Sequence, residues 1–269
     1  MLWDTHMHCY FSGDSEADPE DMIKAARASG LSGICFTDHL DYDFPFNPSG
    51  LFELDLQEYE REITALRDKY KEIFPVHYGI EIGIQPHLHE KLRDVIANGH
   101  YDQVICSSHT VDGMDLYYKD FYEGKEERAA YLRYFESILE NLDGFSEFDV
   151  YGHIDYVVRY GPNTNKFYSY DAYADVLDEI LKRLIHMGKG IEINTGGFKY
   201  GLGHPNPCED IIKRYRELGG EIITVGSDAH EPGHVAFDFA KVPLILREAG
   251  FTHFTVFQNR RPVFLPLPQ

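Results

Sequence analysis

The sequence predicts an α/β fold in which parallel strands, joined by helices, close into a barrel. Three observations favour this class: strand-like and helix-like segments alternate, their connections are mostly short, and the unit recurs about seven or eight times. At 269 residues the chain has the length of one barrel, although two smaller domains would also fit. No linker or break in composition interrupts residues 1–269, so we expect a single domain.

The individual elements follow from short apolar runs and from helical periodicity. Strands are predicted at 2–6, 33–37, 76–82, 103–108, 149–153, 190–195, 221–226 and, more weakly, 253–257. Helices are predicted at 19–29, 55–70, 86–98, 126–142, 170–187, 207–218 and 236–249. Asp18 is a plausible cap before Pro19, and glycines such as Gly30 follow the helix ends.

Composition limits the partners that the chain can have. It carries 25 Lys and Arg against 45 Asp and Glu, a formal net charge of −20. Such a field repels nucleic acid and anionic membranes, so we predict neither as a partner. The four cysteines, none in a CxxC motif, are expected to be reduced. No leader precedes the first motif and no apolar run approaches the ~20 residues of a membrane span, which favours a cytoplasmic protein.

Histidines and carboxylates recur where predicted strands end. They stand in DTHMH (4–8), FTDH (36–39), GIEIG (79–83), SSH (107–109), YGHID (151–155) and GSDAH (226–230). Each histidine alone is as often a hydrogen-bonded core residue as a ligand. Barrel enzymes, however, place function at the C-terminal ends of strands, so the whole set predicts one shared site. Imidazole and carboxylate ligands without cysteine suit zinc, iron or manganese and indicate metal-assisted hydrolysis.

Alternation within strands sharpens this prediction. Asp4, His6 and His8 point to the same side of the first strand. Glu81 lies between Ile80 and Ile82, in a stretch that otherwise has the composition of core. A buried carboxylate costs several kcal/mol unless cations lie nearby, so Glu81 is either a metal ligand or an outward-facing strand residue.

In this order, the motifs resemble those of the PHP (polymerase and histidinol phosphatase) family over nearly the whole chain. The length, FSGDS (11–15) and GHIDYVVRY (152–160) are similar to its histidinol-phosphate phosphatase branch, which acts in histidine biosynthesis. The resemblance implies a distorted (β/α)7 TIM-like barrel that holds three divalent metal ions (zinc, manganese and/or iron) at its C-terminal face.

The resemblance also implies a role for each motif residue. One metal would be held by His6, His8, Glu81 and Asp228, a second by Glu81 as a bridge with His109 and His153, and a third by Asp14, His39 and His230. Arg159 would contact the substrate phosphate, unless it is a solvent-facing loop arginine. His204 is a weaker candidate for approaching the leaving group. Asp4 and Asp38 are interpreted as residues that orient imidazoles.

Together these inferences favour a phosphate monoester hydrolase, most specifically a histidinol-phosphate phosphatase. A hydroxide bridging two metals would attack the phosphorus. The leaving group would either be protonated, with His39, His230 and Asp14 as candidates, or be held by a metal. Three alternatives stay open: a phosphatase of sugar or nucleotide phosphates, a phosphodiesterase or exonuclease, and a non-enzymatic metal-binding or regulatory module. The loops 41–54 and 195–206 are expected to set selectivity, and an acidic rim would suit the cationic aminoalcohol histidinol.

Overall fold

The computed structural model of the protein describes residues 1–45 and 50–269 and confirms the predicted α/β barrel. Its strands are β1 (Asp4–Met7), β2 (Ile34–Phe36), β3 (His39–Leu40), β4 (Val76–Gly83), β5 (Gln103–Ser107), β6 (Thr110–Val111), β7 (Met114–Asp115), β8 (Val150–Tyr151), β9 (Gly190–Asn194), β10 (Ile223–Gly226), β11 (His253–Gln258) and β12 (Arg261–Pro266). The α-helices are α1 (Pro19–Ala28), α2 (Leu56–Tyr70), α3 (His89–Asn98), α4 (Glu127–Leu142), α5 (Ala174–His186), α6 (Gly196–Lys199), α7 (Glu209–Glu217) and α8 (Val242–Glu248).

The central sheet contains seven parallel strands in the order β1-β2-β4-β5-β8-β9-β10, with the short β3 paired to β4. Backbone hydrogen bonds from Asp228 N to His6 O (2.9 Å) and from His8 N to Ala229 O (2.8 Å) join the end of β1 to the residues after β10. The Thr5 hydroxyl also donates to Val225 O at 3.1 Å. The barrel is therefore nearly closed, along a seam between β1 and β10.

The strands are buried on both sides, which explains their continuous apolar composition. All residues of β2, β5 and β9 are buried, and the helices pack their apolar faces against this sheet. The predicted cap of the first helix is confirmed, because the Asp18 carboxylate accepts from the amides of Glu20 and Asp21. Asp55 caps α2 in the same way.

Several boundaries differ from the prediction. The predicted helix 170–187 begins with a 3₁₀ turn, Tyr170–Tyr173, and the predicted helix 86–98 begins with another, Pro86–Leu88. The predicted helix 236–249 is α-helical only from Val242, because Ala236 and Asp238 have positive φ angles that a right-handed helix excludes.

The predicted strand 253–257 exists as β11, but it is not part of the barrel. It pairs antiparallel with β12 to form a separate two-stranded sheet. The loop 195–206 contains the short helix α6. In the predicted loop 41–54, residues 46–49 lie outside the described residues. Within the described parts of the chain, no helix is long and apolar enough to cross a membrane.

Candidate metal centre

The predicted ligands meet at one end of the barrel because all seven central strands run in the same direction. His6 lies in β1, His39 in β3 and Glu81 in β4, while the remaining ligands stand in or next to loops that follow strands. Most of these side chains are buried; the exceptions are His230, which is partly exposed, and Asp14, whose side chain is 45% exposed. The centre is thus enclosed on the barrel side and open on the Asp14 side.

The first predicted ligand group converges closely. His6 Nε2 and His8 Nε2 are 3.1 Å apart, and they lie 3.3 and 3.7 Å from Glu81 Oε2. Asp228 Oδ1 lies 3.8 Å from His6 Nε2 and 3.4 Å from His8 Nε2. Ligands bound tetrahedrally at 2.0–2.1 Å are about 3.3 Å apart, so these separations have the size that a single ion requires.

The second predicted group lies on the other oxygen of Glu81. Oε1 is 3.0 Å from His153 Nε2 and 3.4 Å from His109 Nε2, and it accepts a hydrogen bond from the Ser107 hydroxyl. Because Oε2 faces the first group and Oε1 faces the second, the carboxylate has the orientation that a bridge between two ions needs.

The third predicted group consists of Asp14, His39 and His230. Asp14 Oδ2 lies 3.2 Å from His230 Nε2 and 3.8 Å from His39 Nε2. The His8 ring contacts both imidazoles, with its centroid 4.2 Å from that of His39 and 4.0 Å from that of His230. The nitrogens of these three histidines are close enough to share one ion, so His8 stands between the first and third groups.

The polar atoms of the site fit divalent cations better than they fit one another. Among the described residues, Glu81 Oε2, His39 Nδ1, Asp41 Oδ2 and His230 Nε2 are buried without a hydrogen-bond partner. Glu81 Oε2 and His39 Nδ1 are only 2.9 Å apart, yet they do not form a hydrogen bond. Leaving such groups unsatisfied costs about 1–3 kcal/mol each, a cost that coordination of a metal ion would remove.

The electrostatics of the cluster favour charged carboxylates. Burial opposes ionisation of Glu81, but the imidazoles of His6, His39 and His109 outweigh it and hold its pKa well below the usual range. Burial also opposes ionisation of Asp228, and the Arg159 guanidinium is the main group that lowers the Asp228 pKa. Burial lowers the pKa of His8, helped by His230 and His39, which favours the neutral imidazole that a metal needs.

Residues that were not predicted hold the ligands in place. Glu192 Oε1 lies 2.7 Å from His6 Nδ1, and Asp41 Oδ1 lies 2.8 Å from His109 Nδ1. Both carboxylates fix the ring tautomer and leave Nε2 for a metal. Asp41 with His39 and His109 also forms a further possible ligand group. The sequence did contain a signal for Glu192, because GIEIN (190–194) repeats the pattern of GIEIG (79–83). No comparable pattern indicated Asp41.

Neither Asp4 nor Asp38 contacts an imidazole, in contrast to the role inferred from the sequence. Asp4 accepts hydrogen bonds from the backbone amides of Ser227 and Ala236. Asp38 accepts from Cys9 N and from the Ser12 hydroxyl. Ser12 Oγ in turn lies 3.0 Å from His8 Nδ1, so Asp38 acts on this imidazole only through Ser12.

Arg159 is buried, with 6% of its surface exposed, which rules out a solvent-facing loop arginine. It ends the 3₁₀ helix Tyr156–Arg159, and its guanidinium donates to Asn206 Oδ1 (2.8 Å), Asp228 Oδ2 (2.8 Å) and Asn194 Oδ1 (3.0 Å). The described hydrogen bond of His204 is not to a candidate metal ligand: its Nδ1 lies 2.6 Å from Pro205 O. Its contact with a leaving group stays a prediction.

A cavity of about 450 Å³ opens directly onto the centre. Its inner wall includes Asp14, His39, Asp41 and His109. Aromatic side chains form much of the remaining wall, among them Phe52, Tyr117, Tyr156, Tyr160 and Tyr200. The volume is that of a small-molecule site, and candidate metal ligands and aromatic side chains share its wall.

Comparison with known proteins agrees with this geometry. The PHP domain family model matches residues 4–196. The histidinol-phosphatase of Lactococcus lactis is 33% identical over 263 residues, which cover 96% of this chain and 95% of the relative. A probable histidinol-phosphatase of Clostridium acetobutylicum is also 33% identical, over 89% of this chain and 90% of the relative.

A solved structure is similar over almost its full length. The histidinol phosphate phosphatase of Lactococcus lactis, complexed with zinc, L-histidinol and phosphate, has a TM-score of 0.91 and 32% identity. The match covers 97% of this chain and 98% of that chain. With the family model matching well over half of its residues, and with the motif histidines and carboxylates gathered at one barrel mouth, this chain belongs to the PHP domain family.

Proposed function

We propose that this protein is a metal-dependent phosphatase that hydrolyses L-histidinol phosphate to L-histidinol and phosphate, a step of histidine biosynthesis. The observation that carries the proposal is the convergence of His6, His8, Glu81 and Asp228 next to a small-molecule cavity. Full-length similarity to a histidinol-phosphatase whose solved structure contains zinc, L-histidinol and phosphate supports this substrate.

Three divalent ions, zinc, manganese or iron, would occupy the three ligand groups, with Glu81 shared by the first two. Bound there, such ions lower the pKa of water and neutralise charge on the phosphoryl oxygens. The chain contributes a rigid set of donors, because Glu192 and Asp41 orient His6 and His109 before any ion arrives. Mixed imidazole and carboxylate ligands without thiolate match this choice of metals.

Arg159 would bind a phosphate oxygen beside Asp228. Its described hydrogen bonds use three of the five N–H donors of a guanidinium, so two remain for a ligand. The rings of Tyr156 and Tyr200 lie 5.1 and 4.8 Å from its guanidinium carbon and help to hold its position. A buried, preorganised arginine is suited to an oxyanion because little entropy is lost on binding.

The leaving alkoxide needs a proton, and we infer that Asp14, His39 or His230 supplies it. Asp14 and His39 line the cavity of about 450 Å³ next to the metal ligands. His230 lies with Asp14 in the wall of an adjoining, more open cavity. These side chains are at the boundary between the enclosed centre and the solvent, where a proton can be exchanged.

The direct test is phosphate release from L-histidinol phosphate by the purified protein with added Mn²⁺. We expect a kcat/KM of about 10⁴ M⁻¹s⁻¹ or more, the ordinary range for an enzyme on its own substrate. A panel of sugar phosphates, nucleotide phosphates and a phosphodiester should be turned over much more slowly. If the metal-loaded protein released no phosphate from L-histidinol phosphate but hydrolysed a panel member, the substrate assignment would be wrong.

A further inference from the structure

A short hairpin places an acidic side chain beside the metal centre. The strands β6 and β7 follow the candidate ligand His109 directly, and Thr110 pairs with Asp115. The turn is Asp112-Gly113, with φ angles of 54° and 74°, the positive values that a tight two-residue turn requires. Because so short a turn fixes the register, the position of Asp115 relative to His109 is set by the backbone.

The Asp115 carboxylate is buried in the wall of the barrel mouth. It is 8% exposed, and Oδ1 accepts a hydrogen bond from Tyr117 N at 2.8 Å. Among the described residues, no lysine, arginine or histidine forms an ion pair with it. A buried carboxylate that lacks a counter-ion is costly, so this one is suited to a positive group that arrives with a ligand.

Asp115 belongs to the wall of the cavity that opens onto the metal centre. The acidic residues of that wall are Asp14, Asp41 and Asp115; its described part includes no lysine or arginine, and its two histidines, His39 and His109, are candidate metal ligands. The tyrosine rings in the same wall have faces that attract cations. The cavity therefore combines candidate metal ligands that suit a phosphate with an acidic side chain that suits a positive charge.

We propose that Asp115 forms an ion pair with the ammonium group of the leaving aminoalcohol and so selects cationic substrates. This inference rests on the proposed function, because it assigns a subsite of the same cavity. L-Histidinol phosphate carries two basic nitrogens. The ammonium is charged throughout the neutral range, whereas a free imidazole of pKa about 6.5 is mostly neutral there, so the ammonium is the stronger partner for a carboxylate.

The test compares two substrates and three proteins. The substrates are L-histidinol phosphate and its desamino analogue, 3-(imidazol-4-yl)propyl phosphate, which lacks only the ammonium group. The proteins are the wild type, Asp115→Asn and Asp120→Asn. Asparagine keeps the acceptor for Tyr117 N, and Asp120 is an exposed residue five positions away that does not line the cavity.

We expect Asp115→Asn to lower kcat/KM on L-histidinol phosphate by about 10- to 100-fold, the range for a hydrogen bond to a charged group. Its activity on the desamino analogue should stay within about twofold of the wild type, which also shows that the variant is folded. Asp120→Asn should match the wild type on both substrates.

Two outcomes would overturn the proposal: an equal loss on both substrates, which would place Asp115 near the imidazole or in the scaffold, or no loss on either. Failure of the proposed function has a different signature. In that case the wild type itself would release no phosphate from L-histidinol phosphate while still hydrolysing p-nitrophenyl phosphate.

Discussion

Replacing Glu192 with glutamine should loosen the metal centre without touching a candidate metal ligand. The carboxylate accepts three hydrogen bonds: Oε1 from His6 Nδ1 at 2.7 Å, and Oε2 from His153 N at 3.2 Å and Asn194 Nδ2 at 3.1 Å. All three donors are buried, so none of them can turn to water instead. Glu192 thus sets the orientation of His6 and restrains the backbone of His153.

The size of the effect follows from this arrangement. A glutamine has one accepting oxygen, so in either orientation its amide N–H₂ faces a buried donor. The unsatisfied contact should cost about 1–3 kcal/mol in the free energy of unfolding. Loss of a carboxylate that orients a ligand histidine typically weakens metal binding by about 10- to 100-fold, equivalent to about 1.4–2.8 kcal/mol.

Isothermal titration of the metal-free protein with Zn²⁺ or Mn²⁺ measures the metal affinity, and thermal unfolding of the same samples measures the change in stability. Glu248→Gln is the matched control, because Glu248 is exposed. We expect weaker binding and a lower Tm for Glu192→Gln only. Wild-type metal affinity together with wild-type stability would refute the reasoning.

Three further predictions concern other residues. Glu81→Gln should lower kcat by orders of magnitude while unfolding stays cooperative, and near-normal turnover in steady-state assays would exclude Glu81 as the bridge. Arg159→Ala should raise KM more than it lowers kcat. The metal content of the samples has to be checked, because Arg159 also donates a hydrogen bond to Asp228. Unchanged kcat and KM would exclude a phosphate contact. Asp178→Asn should destabilise the protein by about 1 kcal/mol, since Asp178 forms a two-point ion pair with Arg214 that joins α5 to α7. Hydrogen bonds from Arg214 are the main cause that lowers the Asp178 pKa, so its stabilisation is fully present above the unfolded pKa of about 3.9 and is lost progressively as the pH falls from that value through the lower pKa of the folded state. A difference in denaturation midpoint that did not shrink as the pH was lowered below about 4 would contradict this.

The strand-end motifs were predictable because parallel strands bring their C-terminal ends to one mouth whatever the helices between them do. His6, Glu81 and Asp228 could therefore be assigned to one site before their distances were known. The sequence left Glu81 as either a metal ligand or an outward-facing strand residue, and its lack of exposed surface excludes a solvent-facing position. The α/β barrel class followed from the same regular alternation of strands and helices.

The partners of the ligands could not be predicted in the same way. Glu192 reaches His6 over 186 residues of sequence, and Asp41 reaches His109 over 68, so no local pattern links either pair. Asp4 was interpreted as a residue that orients an imidazole, but its oxygens accept hydrogen bonds from the backbone amides of Ser227 and Ala236. Which acceptor serves which donor depends on how distant segments pack.

The helix starts were mispredicted for a local reason. Hydrophobic periodicity does not distinguish a 3₁₀ turn from the first turn of an α-helix, as at Tyr170–Tyr173. The eighth strand, β11, was found in the sequence, but its antiparallel pairing with β12 depends on a turn at Asn259 and Arg260, both with positive φ. Asparagine and arginine do not indicate a positive φ as strongly as a glycine does.

The candidate metal centre lies at the seam between β1 and β10. His6 and His8 stand on one side of the seam and Asp228 on the other, and backbone hydrogen bonds join the two sides. An ion held by these three side chains would cross-link segments that are about 220 residues apart in sequence, so it would close the barrel as well as the active site. Metal loss would then weaken the junction between the first and last barrel strands, and amide hydrogen exchange should rise there before it rises in β4 and β5. In this protein the catalytic metals would also be structural ones.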